Sequence, residues 1–188
     1  MRILITGSNG LVGKALVPRL TEQGHLVTKL VRAKPVPGEH AVQWDPSAGV
    51  IDGTALDGMD AVIHLAGESL RGRWSTDKKA RILDSRVKGT RLLAEALASC
   101  TKPPRVFITA SAIGYYGDRK DEVLCECAAP GNDFLAQVVR QWEEAARPAA
   151  AAGNRVVQLR FGVILSKAGG VLTEVLPLFR KGLGGRLG

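Results

Sequence analysis

Gly7, Gly10 and Gly13 recur at three-residue spacing in the opening stretch MRILITGSNGLVGKAL. Before them, Ile3, Leu4 and Ile5 form an unbroken apolar run, the pattern of a short buried strand over Arg2 to Thr6. From Gly10 onward, Leu11, Val12, Ala15, Leu16 and Leu20 fall at helical spacing. A glycine turn between a buried strand and a helix is the arrangement that cradles a dinucleotide. The first glycine makes the tight turn, the second lets the backbone approach a pyrophosphate, and the third lets helix and strand pack closely. Ser8 and Asn9 complete the turn, and the free amides of the first helical turn, at Leu11, Val12 and Gly13, would face the phosphates. The spacing G-x-x-G-x-x-G is one residue longer between its first two glycines than the commonest fingerprint. The competing reading is an ordinary strand-helix turn.

A second residue type bears on which nucleotide such a turn would hold. An acidic side chain at the end of the next strand would accept from a free ribose 2′-hydroxyl and repel a 2′-phosphate. Here that place holds Arg32, with Lys34 close behind. A guanidinium pairs with phosphate through two hydrogen bonds and stacks on adenine, so the chain favours NADP(H) over NAD(H). The alternative is a solvated loop charge.

The elements that must position these residues alternate. Gly24 suits a helix C-terminus, and His25 to Val31 read as the second strand. Arg32 to Glu39 are loop, Ala41 to Trp44 a short third strand, and Asp45 to Met59 turn-rich. Asp60 to Leu65 give a fourth buried strand, followed by a long helix from about Thr76 to Ser99 with Ile82, Val87, Leu92, Leu93 and Ala96 as its apolar stripe. Pro103 and Pro104 precede a fifth strand, Arg105 to Ala110, and Ser111 to Pro130 are loop. Asn132 or Asp133 can cap a helix running towards Ala152, Arg155 to Arg160 make a sixth strand, and an amphipathic segment spans Val171 to Lys181. Strands alternating with helices predict an α/β fold, a doubly wound parallel sheet of the Rossmann type, as one domain over residues 1–188. The closing GLGGRLG is turn chemistry and reads as an incomplete chain.

Composition narrows the classes further. The 188 residues, 45% hydrophobic and 23% charged, suit one globular domain without a membrane span. Met1 leads straight into the first strand rather than into a signal peptide, and Cys100, Cys125 and Cys127 are an odd set read as reduced thiols, so a cytoplasmic protein is expected. Neither the cysteines nor His25, His40 and His64 have metal-ligand spacing. The net charge of +8 raises nucleic-acid binding, but the basic residues are spread out and those from Arg71 to Arg91 are interleaved with acids on one helix. A solvated basic face is the preferred reading.

With these residues in place the chain resembles an extended short-chain dehydrogenase/reductase. More narrowly, it resembles the atypical epimerase-family proteins often labelled nucleoside-diphosphate-sugar epimerases. The matching stretches include MRILITGSNGLVGKAL, the Val31-Arg32 pair, DAVIHLAGE, RWSTDKKARILDSRVKGTRLL, SAIGYYGD, GNDFLAQVVRQWEEAA, LRFGVIL and PLFRKGLGG, in order along nearly the whole chain. Members of that family continue for roughly a hundred residues more, including a smaller substrate-binding part. The resemblance implies further cofactor contacts at Leu65, Ala66 and Gly67, at Arg86 on the long helix, and at Val163 and Ile164 near the nicotinamide. Core packing is the competing reading of Leu65, Val163 and Ile164. The resemblance leaves the small-molecule substrate unidentified and the oligomeric state open, although a homodimer in which two long helices pair would suit the superfamily; the spread basic residues and the lack of an apolar span argue against a nucleic-acid or membrane partner.

The superfamily's chemistry uses a Ser or Thr, a Tyr and a Lys, the Tyr exchanging the proton and the Lys lowering its pKa. Ser111 fits the hydroxyl position. The helix that should carry Tyr-x-x-x-Lys reads FLAQVVRQWEEAA and has neither residue. Tyr115 or Tyr116 could supply a phenol from the adjacent loop, or both could be packing residues. The resulting expectation is an NADP(H)-binding oxidoreductase or epimerase-like protein with an atypical active site, the alternative being a non-catalytic NADP(H)-binding sensor or regulatory protein.

Overall fold

Ile3, Leu4 and Ile5 are all buried because strand β1 (Arg2–Thr6) has helices against both faces. Successive side chains of a strand point to opposite faces. Ile3 and Ile5 meet Leu16, Val17 and Leu20 of helix α1 (Leu11–Glu22). Leu4 clusters with Leu93, Ala94 and Leu97 of helix α2 (Thr76–Ala98). The computed structural model describes residues 1–185, so the last three residues of the GLGGRLG turn stretch lie outside the described residues.

Strands β2 (Leu26–Val31), β3 (Ala41–Asp45), β4 (Val50–Ile51), β5 (Ala61–His64), β6 (Val106–Ala112) and β7 (Val156–Phe161) complete a sheet of order β4-β3-β2-β1-β5-β6-β7. Every pair is parallel except β3 with β4. Without β4, the order is that of a doubly wound dinucleotide-binding sheet, whose direction of winding reverses between β1 and β5. The expected α/β, Rossmann-type fold is therefore the observed one.

Three local readings are corrected. The turn-rich stretch after β3 contains β4, where Trp44 opposes Ile51 and Asp45 opposes Val50 in a hairpin. Strand β6 runs on to Ala112, which puts Ser111 inside the strand rather than in the loop. The helix expected from Asn132 to Ala152 is two helices, α3 (Phe134–Glu144) and α4 (Arg147–Ala151). Pro148 explains the break: it has no N–H to donate, and its ring clashes with the carbonyl four residues back, that of Glu144. Helix α5 (Val171–Arg180) follows β7, with Leu178 and Phe179 half exposed. No helix among the described residues is long and apolar enough to cross a membrane.

On α2 the buried residues are Ile82, Gly89, Thr90, Leu93, Ala94 and Leu97, a stripe rotated from the one expected. Thr90 belongs to it because its hydroxyl accepts from the Trp142 indole N–H of α3 at 2.9 Å. The small Gly89 lies under Trp44 and His64: a Cβ there would come 3.4 Å from the Trp44 ring and 3.7 Å from the imidazole.

Candidate functional site

The crevice at the β1/β5 reversal is built by the glycine turn. Gly7 has φ +68°, a left-handed conformation, and a Cβ on it would lie 2.6 Å from the Leu65 carbonyl carbon. Only glycine fits there. A Cβ on Gly13 would lie 2.3 Å from the Gly7 carbonyl oxygen, so this glycine sets how closely α1 approaches the turn. Gly10 differs. Its amide donates to Gly7 O at 2.9 Å, and a Cβ would meet only that oxygen, at 3.2 Å, with space beyond. Its role is to leave room above the backbone.

Gly10 is also the N-cap of α1, and no side chain caps that helix. By contrast, Ser75 accepts from the Lys78 amide at the start of α2, and Asp133 from the Ala136 amide at the start of α3. The first hydrogen bond returning to α1 is Lys14 N to Gly10 O, 2.9 Å. The amides of Leu11, Val12 and Gly13 are thus left for a ligand at the positive end of the helix dipole, where phosphate is favoured.

A cavity of about 730 Å³ opens over this turn. Gly7, Ser8, Asn9 and Gly10 form its floor; Leu65, Ala66 and Gly67, following β5, form one side; Val31 and Arg32, ending β2, form the other. The outer wall is a segment absent from the expected site residues, Trp44 to Ser47 at the end of β3. Asp45 shapes it, accepting from the amides of Ser47 at 2.9 Å and Ala48 at 3.1 Å and from the Ser47 hydroxyl at 2.5 Å. Those bonds, the hydroxyl's first, hold its carboxyl below the usual range. Its place at the carboxyl end of a parallel strand was the available signal. Arg32 is exposed at the cavity edge and pairs with no carboxylate among the described residues. Its carbonyl accepts from Gln43 Nε2 at 3.1 Å, which fastens the strand end to β3. Lys34 does not line the cavity.

Thr6, the last residue of β1, organises the inner edge. Its Oγ1 accepts from the amides of Leu65 at 3.1 Å and Ala66 at 3.2 Å. With both lone pairs used, the hydroxyl proton goes to His64 Nδ1, 2.7 Å away. His64 is wholly buried, and burial pushes its pKa down to about 3. It is therefore a neutral imidazole with its proton on Nε2, and that atom has no hydrogen-bond partner.

The other expected contacts are not part of this cavity. Arg86 is turned inward: its Nη1 donates to the carbonyls of Glu68 and Ile82, each at 3.1 Å, and the guanidinium packs over the Trp142 ring. It supports the loop after Gly67 from below. Glu68 is held on the other side by Lys78, whose Nζ is 2.6 Å from Oε1. Val163 and Ile164 lie after β7, 69% and 39% exposed, so they are neither cavity lining nor core.

Ser111, Tyr115 and Tyr116 are brought together, but around a charge pair. Ser111 is buried and donates to Glu143 Oε1 at 2.5 Å. Arg160 grips the same carboxylate with two bonds, Nε to Oε1 at 2.8 Å and Nη2 to Oε2 at 2.9 Å. Its Nη1 donates to the Tyr116 hydroxyl at 2.9 Å, and its guanidinium lies 3.6 Å from the Tyr115 ring centre. The carboxylate holds the guanidinium's pKa above its ordinary value. Neither Glu143 nor Arg160 was among the expected site residues. The available signal was an arginine inside the strand RVVQLRF, where burial demands a counter-charge. Phe134 stands where the superfamily's tyrosine is expected, edge-on to Trp74 and under the Lys79 ammonium.

Known proteins share this frame. An epimerase family protein of Mycobacterium bovis is 44% identical over 187 residues, covering 99% of this chain and 61% of the relative. The human epimerase family protein SDR39U1 is 35% identical over 192 residues, covering all of this chain and 63% of the relative. The chain thus spans less than two thirds of these relatives' length. Among solved structures, a nucleoside-diphosphate sugar epimerase from Corynebacterium glutamicum superposes with TM-score 0.85 at 44% identity, covering all of this chain and 39% of that one. Human SDR39U1, solved with NADPH, superposes with TM-score 0.84 at 34% identity, covering all of this chain and 62% of that one. Residues 3–181 match the NAD dependent epimerase/dehydratase family, and the chain belongs to it.

Proposed function

We propose that this chain is the NADP(H)-binding part of an oxidoreductase or epimerase-like protein of the extended short-chain dehydrogenase/reductase type. The observation that carries this reading is the crevice itself. It has an uncapped helix N-terminus over a glycine turn with room above Gly10, and an exposed arginine at its ribose end that forms no ion pair among the described residues. The residues present fit a dinucleotide. The amides of Leu11, Val12 and Gly13 would hold the pyrophosphate, and Arg32 would meet a 2′-phosphate through a charge-assisted bond. Ala66 and Gly67 would border the ribose. The cofactor supplies hydride when bound; the residues around the crevice bind, orient and exclude water. The human relative solved with NADPH supports the phosphate-bearing form.

One observation favours the second reading, a non-catalytic NADP(H)-binding sensor or regulatory protein. The hydroxyls and charge that would replace the missing tyrosine and lysine are committed to each other: Ser111 to Glu143, and Tyr116 to Arg160.

The experiment is a calorimetric titration of the chain with NADPH and NADH, repeated on Arg32→Ala. The expected result is selective NADPH binding that Arg32→Ala weakens at least about tenfold, the worth of one charge-assisted bond, with NADH unchanged. Equal affinity for both cofactors would remove the phosphate-reading role of Arg32. Failure to bind either would overturn the proposal. Steady hydride transfer to a carbonyl substrate by the titrated protein would dispose of the sensor.

A further inference from the structure

Cys125 and Cys127 lie in the loop between Tyr116 and α3, both exposed and both free thiols. They sit at the first and third positions of a turn closed by Ala128 N donating to Cys125 O at 3.1 Å. Residues so placed in a tight turn have Cα atoms roughly 5.5 Å apart, inside the window a disulfide requires. The two thiols act on each other, Cys127 pushing the Cys125 thiol down and Cys125 pushing that of Cys127 up. Between them, the Glu126 carbonyl accepts from Arg160 Nη1 at 2.9 Å, the same nitrogen that donates to the Tyr116 hydroxyl. The turn holding the two sulfurs is thus fastened to the Ser111–Glu143–Arg160 cluster through its central peptide.

We propose that Cys125 and Cys127 are a reversible dithiol/disulfide pair, oxidised by exchange with a small-molecule disulfide of the glutathione class, and that closing the bond draws the Glu126 carbonyl away from Arg160. The Cys125 thiolate attacks one sulfur of the small disulfide, breaking its S–S bond and releasing one thiolate, which takes up a proton. A mixed disulfide remains on Cys125. The Cys127 thiolate then attacks the Cys125 sulfur and displaces the second small thiol. In sum, two protein thiols are oxidised, one small disulfide is reduced to two thiols, and both protons pass to the released thiols. Cys125 is suited to attack first, since Cys127 holds its thiol below the ordinary range while that of Cys127 is raised. With the resolving thiol two residues away, its effective concentration is high and the mixed disulfide does not accumulate. Closing a two-residue bridge tightens the turn, and a strained, exposed disulfide of this kind is readily reduced again. Cys100 belongs to none of this: it is half buried on α2's C-terminal side, and burial pushes its thiol up.

The test is incubation of the intact chain in mixtures of reduced and oxidised glutathione, quenched by alkylation and read by peptide mass. The expected product is a Cys125–Cys127 disulfide with Cys100 alkylated, exceeding the mixed disulfide by at least about tenfold. In Cys127→Ser the glutathione adduct on Cys125 should accumulate instead. Amide exchange supplies the second readout. Gly131 N donates to Tyr115 O at 2.9 Å, across the base of the same loop. Its exchange should rise at least about tenfold in the oxidised form, as expected when one bond from a charged donor is lost. Stable glutathione adducts without an internal disulfide would overturn the pairing. A disulfide that leaves Gly131 exchange unchanged would overturn the link to Arg160.

Discussion

The Ser111 hydroxyl and the Glu143 carboxylate are 2.5 Å apart, one inside strand β6 and the other at the end of α3. Together with the two-pronged grip of Arg160 from β7, this contact joins three elements through one carboxylate. A serine in the expected catalytic position is therefore also a structural donor, and its substitution tests both roles at once.

Glu143→Gln keeps the side chain's shape and removes its charge, leaving a largely buried guanidinium without a counter-ion. The expected loss is about 2–4 kcal/mol, a Tm lower by roughly 5–15 °C for a chain of this size. Ser111→Ala leaves both Arg160 bonds in place and should cost only about 1 kcal/mol. Thermal melts of the two variants check this; equal losses would show that the ion pair is not what holds β7 to α3.

Gly10→Ala and Gly13→Ala should part company. The Gly13 substitution drives a methyl to 2.3 Å from the Gly7 oxygen, a clash with backbone that cannot move aside, and the chain should lose several kcal/mol of stability, on the order of an overpacked core. The Gly10 substitution meets one oxygen at 3.2 Å and otherwise fills empty space over the turn. It should change urea stability by less than about 1 kcal/mol while reducing NADPH affinity at least about tenfold. Loss of stability without loss of binding in Gly10→Ala would remove the pyrophosphate from that spot.

His64 gives the fold an acid limit. The native imidazole is neutral down to about 3, against an ordinary value of 6.5. Below pH 6.5 the unfolded chain takes up a proton that the folded chain refuses, so stability present at neutral pH is lost as pH falls towards 3. The slope from this one group approaches about 1.4 kcal/mol per pH unit. His64→Asn can still accept from Thr6, and its urea midpoints at pH 7, 6 and 5 should converge on those of the parent chain. Parallel curves would mean that His64 titrates normally.

The part of the molecule written in local pattern was legible in the sequence. The run Ile3-Leu4-Ile5, the glycines after it and the stripe on α1 are neighbours in the chain, and their periods name their structures. The floor of the crevice, Gly7 to Gly10, followed from them. Strand β4 did not, because two residues carry no period and pair only once Trp44 finds Ile51. The break between α3 and α4 was written in Pro148, within a stretch whose alanines otherwise favour helix. Arg86 looked able to reach the cofactor from its position on α2; only packing shows that its guanidinium is tied to two carbonyls below the loop. Glu143 and Arg160 are 17 residues apart on different elements, so their pairing is a property of the fold and not of any window of sequence.

Thr6 has a mechanical consequence. Its single oxygen staples the end of β1 to the first two amides after β5, so the two strands flanking the crevice cannot splay when a dinucleotide enters. Half of the mouth is a fixed jaw. Among the described residues the opposite lip, the exposed Arg32 and the short hairpin turn behind Asp45, has no such staple to the strands it faces.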